Sequence, residues 1–416
     1  MCKRWHLGWI GALLLGAVGV LTLGSVTATE AATYYVATTG DDNATGTGAQ
    51  PLRTLRKGAG KLRAGDTLII KAGTYRETLL DVFPSGTSWS QAVTVRAEQG
   101  ATVTLSPPAK TDLFLSFVGS NTQYIIFDGL IIDGQKIASY GVYISDGAEH
   151  IRLVNCTVKN ALRQGILVSP GQQPGNTRGC CNEFLNINVH DNGTQRQEHG
   201  IYVATSNNLI EHSRFYRNAG YGVSIYHAHG GVNNNIIRYS EVYDNNVFGN
   251  AAGVVLASGT NNAAYNNLIW NNRSGMVIAS SGAKVYNNTI YNNNRAGGDD
   301  IGIVIQKGAT GVAVKNNIIY RHGYKPIDDA TSQADKSHNL VNTDPGFVSE
   351  ANFDFHLRPG SPAIDAGFVL SEIRDDLDGV PRPRGARPDI GAYEYTTSNV
   401  PSQLPAPRNL RVVSQP

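Results

Sequence analysis

The sequence has almost no charge bias. Its 416 residues carry 35 Lys and Arg against 33 Asp and Glu, a formal +2. So mild a balance leaves no electrostatic footprint for nucleic acid or a membrane surface. Methionine is scarce, with two residues, and cysteine sparse, with four. Cys2 lies in a leading segment expected to be removed, and three remaining cysteines do not make a disulfide framework. Cys156 falls at an apolar position and reads as core, whereas the adjacent Cys180 and Cys181 leave room for one bridge. No helical period runs through the middle of the chain, and no fixed spacing of His, Cys, Asp or Glu marks a metal site.

What the chain has is glycine, 46 residues of it, and repetition. From Ile151 to Tyr320, unequal repeats share two anchors. One is a β-branched or aromatic residue followed three positions on by Asn, as in Phe215 to Asn218 and Ile269 to Asn272. The other is a glycine opening an alternating strand, at positions 165, 200, 222, 253, 275 and 302, hence between 22 and 35 residues apart. Strand-bearing units of this size with variable loops describe a β-solenoid.

Stacking the repeats aligns apolar residues into inward columns. They are Leu153-Phe184-Ile210-Ile237-Ala264-Val285-Val314, Val158-Val189-Phe215-Val242-Ile269-Ile290-Ile319, Ile166-Ile201-Val223-Val254-Met276-Ile303 and Val168-Val203-Ile225-Leu256-Ile278-Ile305. Between the first two runs Cys156-Ile187-Ser213-Ser240-Asn267-Asn288-Asn317, whose asparagines can bond side chain to side chain along the axis. The column Asn192-Asn218-Asn245-Asn272-Asn293 is expected at left-handed corners, which Asn tolerates. These columns resemble the pectate-lyase-like proteins with PbH1-type repeats. That resemblance implies an all-β, single-stranded right-handed parallel β-helix with an N-terminal cap and a C-terminal β-rich capping module.

Residues 1–32 read as a secretory signal, with Lys3 and Arg4 before the apolar run Leu7 to Leu23 and small residues after it. Residues 33–78 resemble the N-terminal cap of secreted β-helix polysaccharide lyases, with a short amphipathic helix expected over Thr54 to Leu62. Its turn Asp41-Asp42-Asn43 offers oxygens to Ca²⁺ or, alternatively, is an Asx-rich surface turn. Repeats fill 79–341, and the loop Pro84 to Ser90 is expected to be exposed. Residues 342–395, from Asn342-Thr-Asp-Pro-Gly-Phe to Pro388-Asp-Ile-Gly-Ala-Tyr-Glu-Tyr, resemble the choice-of-anchor Q module of bacterial surface proteins. That implies extracellular display, with cell-surface attachment left open. Residues 396–416 read as a Pro/Ser linker leading to a strand similar to the first of a fibronectin-type-III domain.

Two outward surfaces compete for function. On the glycine-led sheet, polar side chains gather at two repeats: Glu198, His199, Tyr202, Tyr226, His227 and His229, with Arg178 in a long loop nearby. One group to take a sugar C5 proton, one to return it and a cation for the carboxylate is what a lyase or epimerase of uronic-acid polymers needs. Glu198 with Glu211 would instead be a hydrolase pair. On another sheet, Lys159-His190-Tyr216-Tyr243-Trp270-Tyr291-Tyr320 forms a row of rings. It is either a platform for sugars, with Tyr216, Tyr243, Trp270 and Tyr291 as binding residues, or packing beneath the C-terminal tail. Glu211 with Arg238, and Arg214 with Glu241, read as ion pairs between neighbouring repeats. The partner expected is a polysaccharide, met by a monomer. A glycan-binding surface protein without turnover remains the alternative from another class. The Lys/Arg and Asp arrangement of well-described lyases does not occur, so no family site is carried over.

Overall fold

The computed structural model describes residues 30–171, 179–245, 252–294 and 300–397. Most of the expected signal (1–29) and of the expected linker (398–416), the loop holding Arg178 and parts of two other loops lie outside them.

Each coil contributes one short strand to each of three parallel sheets. The first sheet has 11 strands, from Thr33–Val36 to Ala313–Lys315. The second has 11, from Gly73–Arg76 to Leu340–Val341, and the third has 10, from Leu79–Leu80 to Lys325–Asp329. The expected columns are the observed registers: Phe184 pairs with Ile210, Val189 with Phe215, Ile201 with Val223, and Val203 with Ile225. Their side chains form one continuous core, nearly all fully buried. Each buried Ile or Phe contributes about 1.5–3 kcal/mol. Alternation therefore sends every other residue of each strand outward.

Corners are built from paired positions. A residue in left-handed conformation is followed by a buried, hydrogen-bonding one. Left-handed φ falls at Asp191, Arg217, Asp244, Asn271 and Asn292, not at Asn192, Asn218, Asn245, Asn272 and Asn293 as expected. Those five asparagines point inward as an amide ladder instead, with Asn218 Nδ2 donating to Asn245 Oδ1 at 2.9 Å and Asn272 Nδ2 to Asn293 Oδ1 at 3.0 Å. The ladder satisfies amides and carbonyls that no sheet reaches, which is why burial claims this Asn and leaves the αL position to its neighbour. The expected ladder through Asn267, Asn288 and Asn317 is present and extends to Asn339. A third runs through Asn182, Asn208, Asn235 and Asn262 at the remaining corner. The strand-opening glycines are required by close approach. A Cβ at Gly200 would lie 2.6 Å from the Gly222 oxygen and 2.8 Å from Asn218 Nδ2.

The N-terminal unit joins the same sheets. Thr33–Val36 pairs with Thr67–Ile70, and the helix is Leu55–Ala59, capped by the Thr54 side chain. The loop 84–90 is not free as expected. Trp89 lies half-buried beneath the Arg152 guanidinium at 3.9 Å, with its ring edge-on to Tyr124. Residues 342–395 hold one antiparallel pair, Phe347–Ser349 with Asp354–Leu357. They pack along the flank of the coils rather than across an open end. Phe347, Phe355, Leu357 and Tyr393 cover Leu268, Trp270, Tyr291 and Ile318 of the second sheet. Outward amides of Asn266, Asn287 and Asn316 donate to the backbone of Asp375, Asp389 and Phe368. Inside it, Arg382 Nη1 meets Glu394 Oε1 at 2.7 Å with both side chains buried, so these charges serve packing. Among the described residues no helix is long and apolar enough to cross a membrane.

Candidate functional site

The third sheet carries a cleft of about 680 Å³. Its floor is the outward column Tyr202, Ser224, Val255 and Val277, with Tyr226, Ala257 and Gln306 beside it. Its wall comes from the corner ahead of Ile201–Val203, which brings Arg196, Gln197 and His199, together with Gln164 and Tyr221 from adjacent coils.

His199 is 5 % exposed. Its Nδ1 accepts from the Tyr221 backbone N–H at 3.1 Å, so the neutral ring carries its proton on Nε2. It stacks on Tyr221 at 4.6 Å and on Tyr202 at 5.8 Å. Burial drives its pKa down to about 3, so at neutral pH it is uncharged. The expectation of a proton-abstracting His199 meets a geometric obstacle: its lone pair is already engaged. Tyr202 is half-buried and its phenol is pushed up to about 12, by burial first and by Tyr226 second. It therefore holds a proton that it can donate. Tyr226 stands edge-on to it at 6.4 Å and is 40 % exposed. Burial also raises the Tyr221 phenol, against the field of Arg196.

The structure brings His199, Tyr202 and Tyr226 together and separates the rest of the expected set. Glu198 turns its carboxylate back into its own corner, accepting from Gln195 N at 2.8 Å and Thr194 Oγ1 at 3.0 Å. It shapes the wall and does not line the cleft. Glu211 belongs to the first sheet and pairs with Arg238, so the two carboxylates make no hydrolase pair. His227 and His229 continue past Tyr226 into a turn, where Ser258 Oγ donates to the His227 carbonyl at 2.7 Å; neither lines the cleft. Arg178 lies outside the described residues.

The row of rings is a stack. His190 and Tyr216, Tyr216 and Tyr243, and Tyr243 and Trp270 have centroids 4.7, 5.1 and 4.4 Å apart, with planes within 10°. Ring faces are spent on one another, so only edges meet solvent, and a sugar needs a face. Trp270 and Tyr291 are also buried under Phe347, Phe353 and Phe355. These four residues are therefore withdrawn as a sugar platform. The expected ion pair of Arg214 with Glu241 is present at 3.3 Å.

The Ca²⁺ option at Asp41-Asp42-Asn43 does not fit. The Asp42 oxygens accept from Arg53 N, Thr54 N and Thr54 Oγ1, each at 2.9 Å, and hold the turn closed. No carboxylate is among the described residues lining the cleft either. Cys180 and Cys181 are bridged, and Cys156 is free and buried.

Sequence reasoning missed Arg196, Gln164, Gln197 and Tyr221. Arg196 had a signal: it is the one cation of the insertion from Asn192 to His199. Tyr221 sits ahead of a strand-opening glycine, a position that carries no pattern of its own.

Two family models match. One describes a Pel9A-like right-handed β-helix region and covers residues 34–197. The other describes a right-handed β-helix region and covers residues 176–342. The chain is 28% identical over 162 residues to the uncharacterized protein YwoF of Bacillus subtilis, spanning 36% of this chain and 34% of that protein. It is 25% identical over 213 residues to pectate lyase PEL9 of Emericella nidulans, spanning 48% and 50% respectively. The matches thus span a third to a half of the curated relatives' length. The crystal structure of pectate lyase Pel9A superposes with a TM-score of 0.67 at 18% identity, covering 88% of this chain and 96% of that one. It shares the fold.

Proposed function

From the premise that this chain is a pectate-lyase-like, right-handed parallel β-helix protein, we propose that it is an extracellular carbohydrate-active protein. Its partner is a uronic-acid-containing polysaccharide lying in the third-sheet cleft. One observation carries this: among the described residues lining the cleft, Arg196 is the only ionised side chain, and it stands beside an uncharged imidazole and three phenols. A single guanidinium in a carboxylate-free cleft favours an anionic sugar over the two-carboxylate chemistry of hydrolases.

In a lyase or epimerase, Arg196 would pair with the uronate carboxylate and make the C5 proton more acidic. Tyr226 would take that proton as the C5–H bond breaks. Tyr202, protonated at neutral pH, would deliver one to the departing glycosidic oxygen in elimination, or to the opposite face of C5 in epimerisation. His199 would orient the sugar through Nε2–H. Export through residues 1–32 and display through residues 342–395 belong to the same proposal. A panel of polyuronates tests it. Absorbance of unsaturated uronate marks a lyase, altered C5 configuration an epimerase, and reducing ends without that absorbance a hydrolase.

Glycan binding without turnover is the second reading, and one observation favours it. The His199 lone pair is taken by Tyr221 N–H, so among the described residues lining the cleft no imidazole lone pair is free to take the C5 proton. Retention on a polyuronate column with no change in the polymer would establish it.

A further inference from the structure

The cleft is not uniform along its length. Arg196, His199 and Tyr202 cluster at one end. Two coils further on, the floor is Val255 and Ala257, then Val277, and a neutral amide, Gln306, closes the far end. From the coil of Tyr202 to that of Gln306 is four strand spacings, about 19 Å. That length takes several sugar units laid along the axis, yet the described lining supplies a cation at one end only.

A carboxylate set on the Val255-Ala257-Val277 floor would lose water and gain no cationic partner among the described residues lining the cleft, which is unfavourable. The C–H face of an uncharged pyranose gains by covering the same flat aliphatic strip. Resting on the reading of the cleft as a uronate site, we infer that the polymer is one of sparse charge. One free uronate sits at Arg196, and uncharged units follow it over the aliphatic floor. Two sources supply such units, neutral sugars alternating with uronates and uronates whose carboxyls are esterified.

The test measures binding and depolymerisation of three polymers by the full chain: a fully de-esterified polyuronate, the same polymer highly methyl-esterified, and a heteropolymer alternating uronate with neutral sugar. The expected result is at least a tenfold preference for one or both of the sparsely charged polymers, and which one identifies the source. Val277→Lys and, separately, Ala257→Lys place a cation on the floor and should shift preference toward the de-esterified polymer. Two substitutions on different coils, each checked for an unchanged melting temperature, guard against misfolding. A wild-type preference for the de-esterified polymer, lost in Arg196→Ala, would overturn the inference and leave the uronate site standing. Failure to bind any of the three would remove the site and the inference together.

Discussion

The second and third sheets of this solenoid are built by the same alternation, and their outer faces do opposite things. On the second, His190, Tyr216, Tyr243 and Trp270 stack ring on ring, and the C-terminal segment buries the row from Trp270 onward. On the third, Tyr202 and Tyr226 are held apart at 6.4 Å and edge-on, at the floor of an open cleft. Aromatic side chains stand on both, in an unbroken row on the second and singly on the third. The spacing of neighbours decides their use. Rings on consecutive coils stack and become structural, whereas rings interrupted by Ser224, Val255 and Val277 cannot, and remain available to a ligand.

The largest effect should fall on the covered face. Trp270→Ala removes a ring buried beneath Phe353 and Phe355 and should cost about 3–5 kcal/mol of stability, with polysaccharide affinity unchanged at temperatures below the onset of the lowered melting transition. Calorimetry and binding measured on one sample check this. Lost affinity at intact stability would show that the second sheet meets the polymer after all.

On the open face the balance should reverse. Tyr202→Phe should leave the melting temperature unchanged and slow turnover by roughly 10²-fold or more, the contribution of a positioned proton donor. If the protein only binds, the same substitution should leave retention on a polyuronate column nearly unaltered.

The two regions should also respond to pH with opposite sign. Folded His199 stays neutral down to about 3, whereas an unfolded histidine takes a proton near 6.5. Below that value the unfolded state holds more protons, so this stabilisation is complete above about pH 6.5 and is lost as pH falls toward 3. His356, in the C-terminal segment, bonds Asp354 Oδ1 at 2.6 Å and Asp378 Oδ2 at 2.8 Å. Burial opposes its charge, but Asp378 and Asp354 outweigh burial and raise its pKa. Its contribution is complete below about pH 6.5 and fades as pH rises through the folded value. Amide exchange should therefore protect 354–394 better at pH 5 than at pH 8, and the coils around His199 the reverse. His356→Gln should abolish the first slope alone.

The smallest effect belongs to the exposed end of the stack. Arg217 pairs with Asp191 at the surface, and Arg217→Ala should change stability by less than about 1 kcal/mol and binding not at all. A clear loss of affinity would restore the ring row as a sugar surface.

The inward columns were legible because burial imposes a strict alternation, and alternation is written in the residues themselves. One amide ladder was legible for the same reason. A second was misread, since Asn is favoured both at a left-handed corner and as an inward amide, and one string of letters cannot say which. The third, through Asn182, Asn208, Asn235 and Asn262, runs at a corner where loops of unequal length hide the register. Of the site, Tyr202 was found because it lies on an alternating strand, and Tyr226 and His199 because they flank such strands, Tyr226 just after one and His199 just before a strand-opening glycine.

What the sequence determined alone was the coil: its period, its greasy columns and the sheet on which polar groups collect. Those follow from local alternation and from glycines that yield to the next coil's backbone. Only the folded chain decided which way the corner side chains turn. Glu198 faces its own loop and Arg196 the cleft because the corner's N–H groups needed an acceptor, and a carboxylate was the nearest one. Residues that meet across the cleft come from coils twenty or more positions apart, and no local pattern links them.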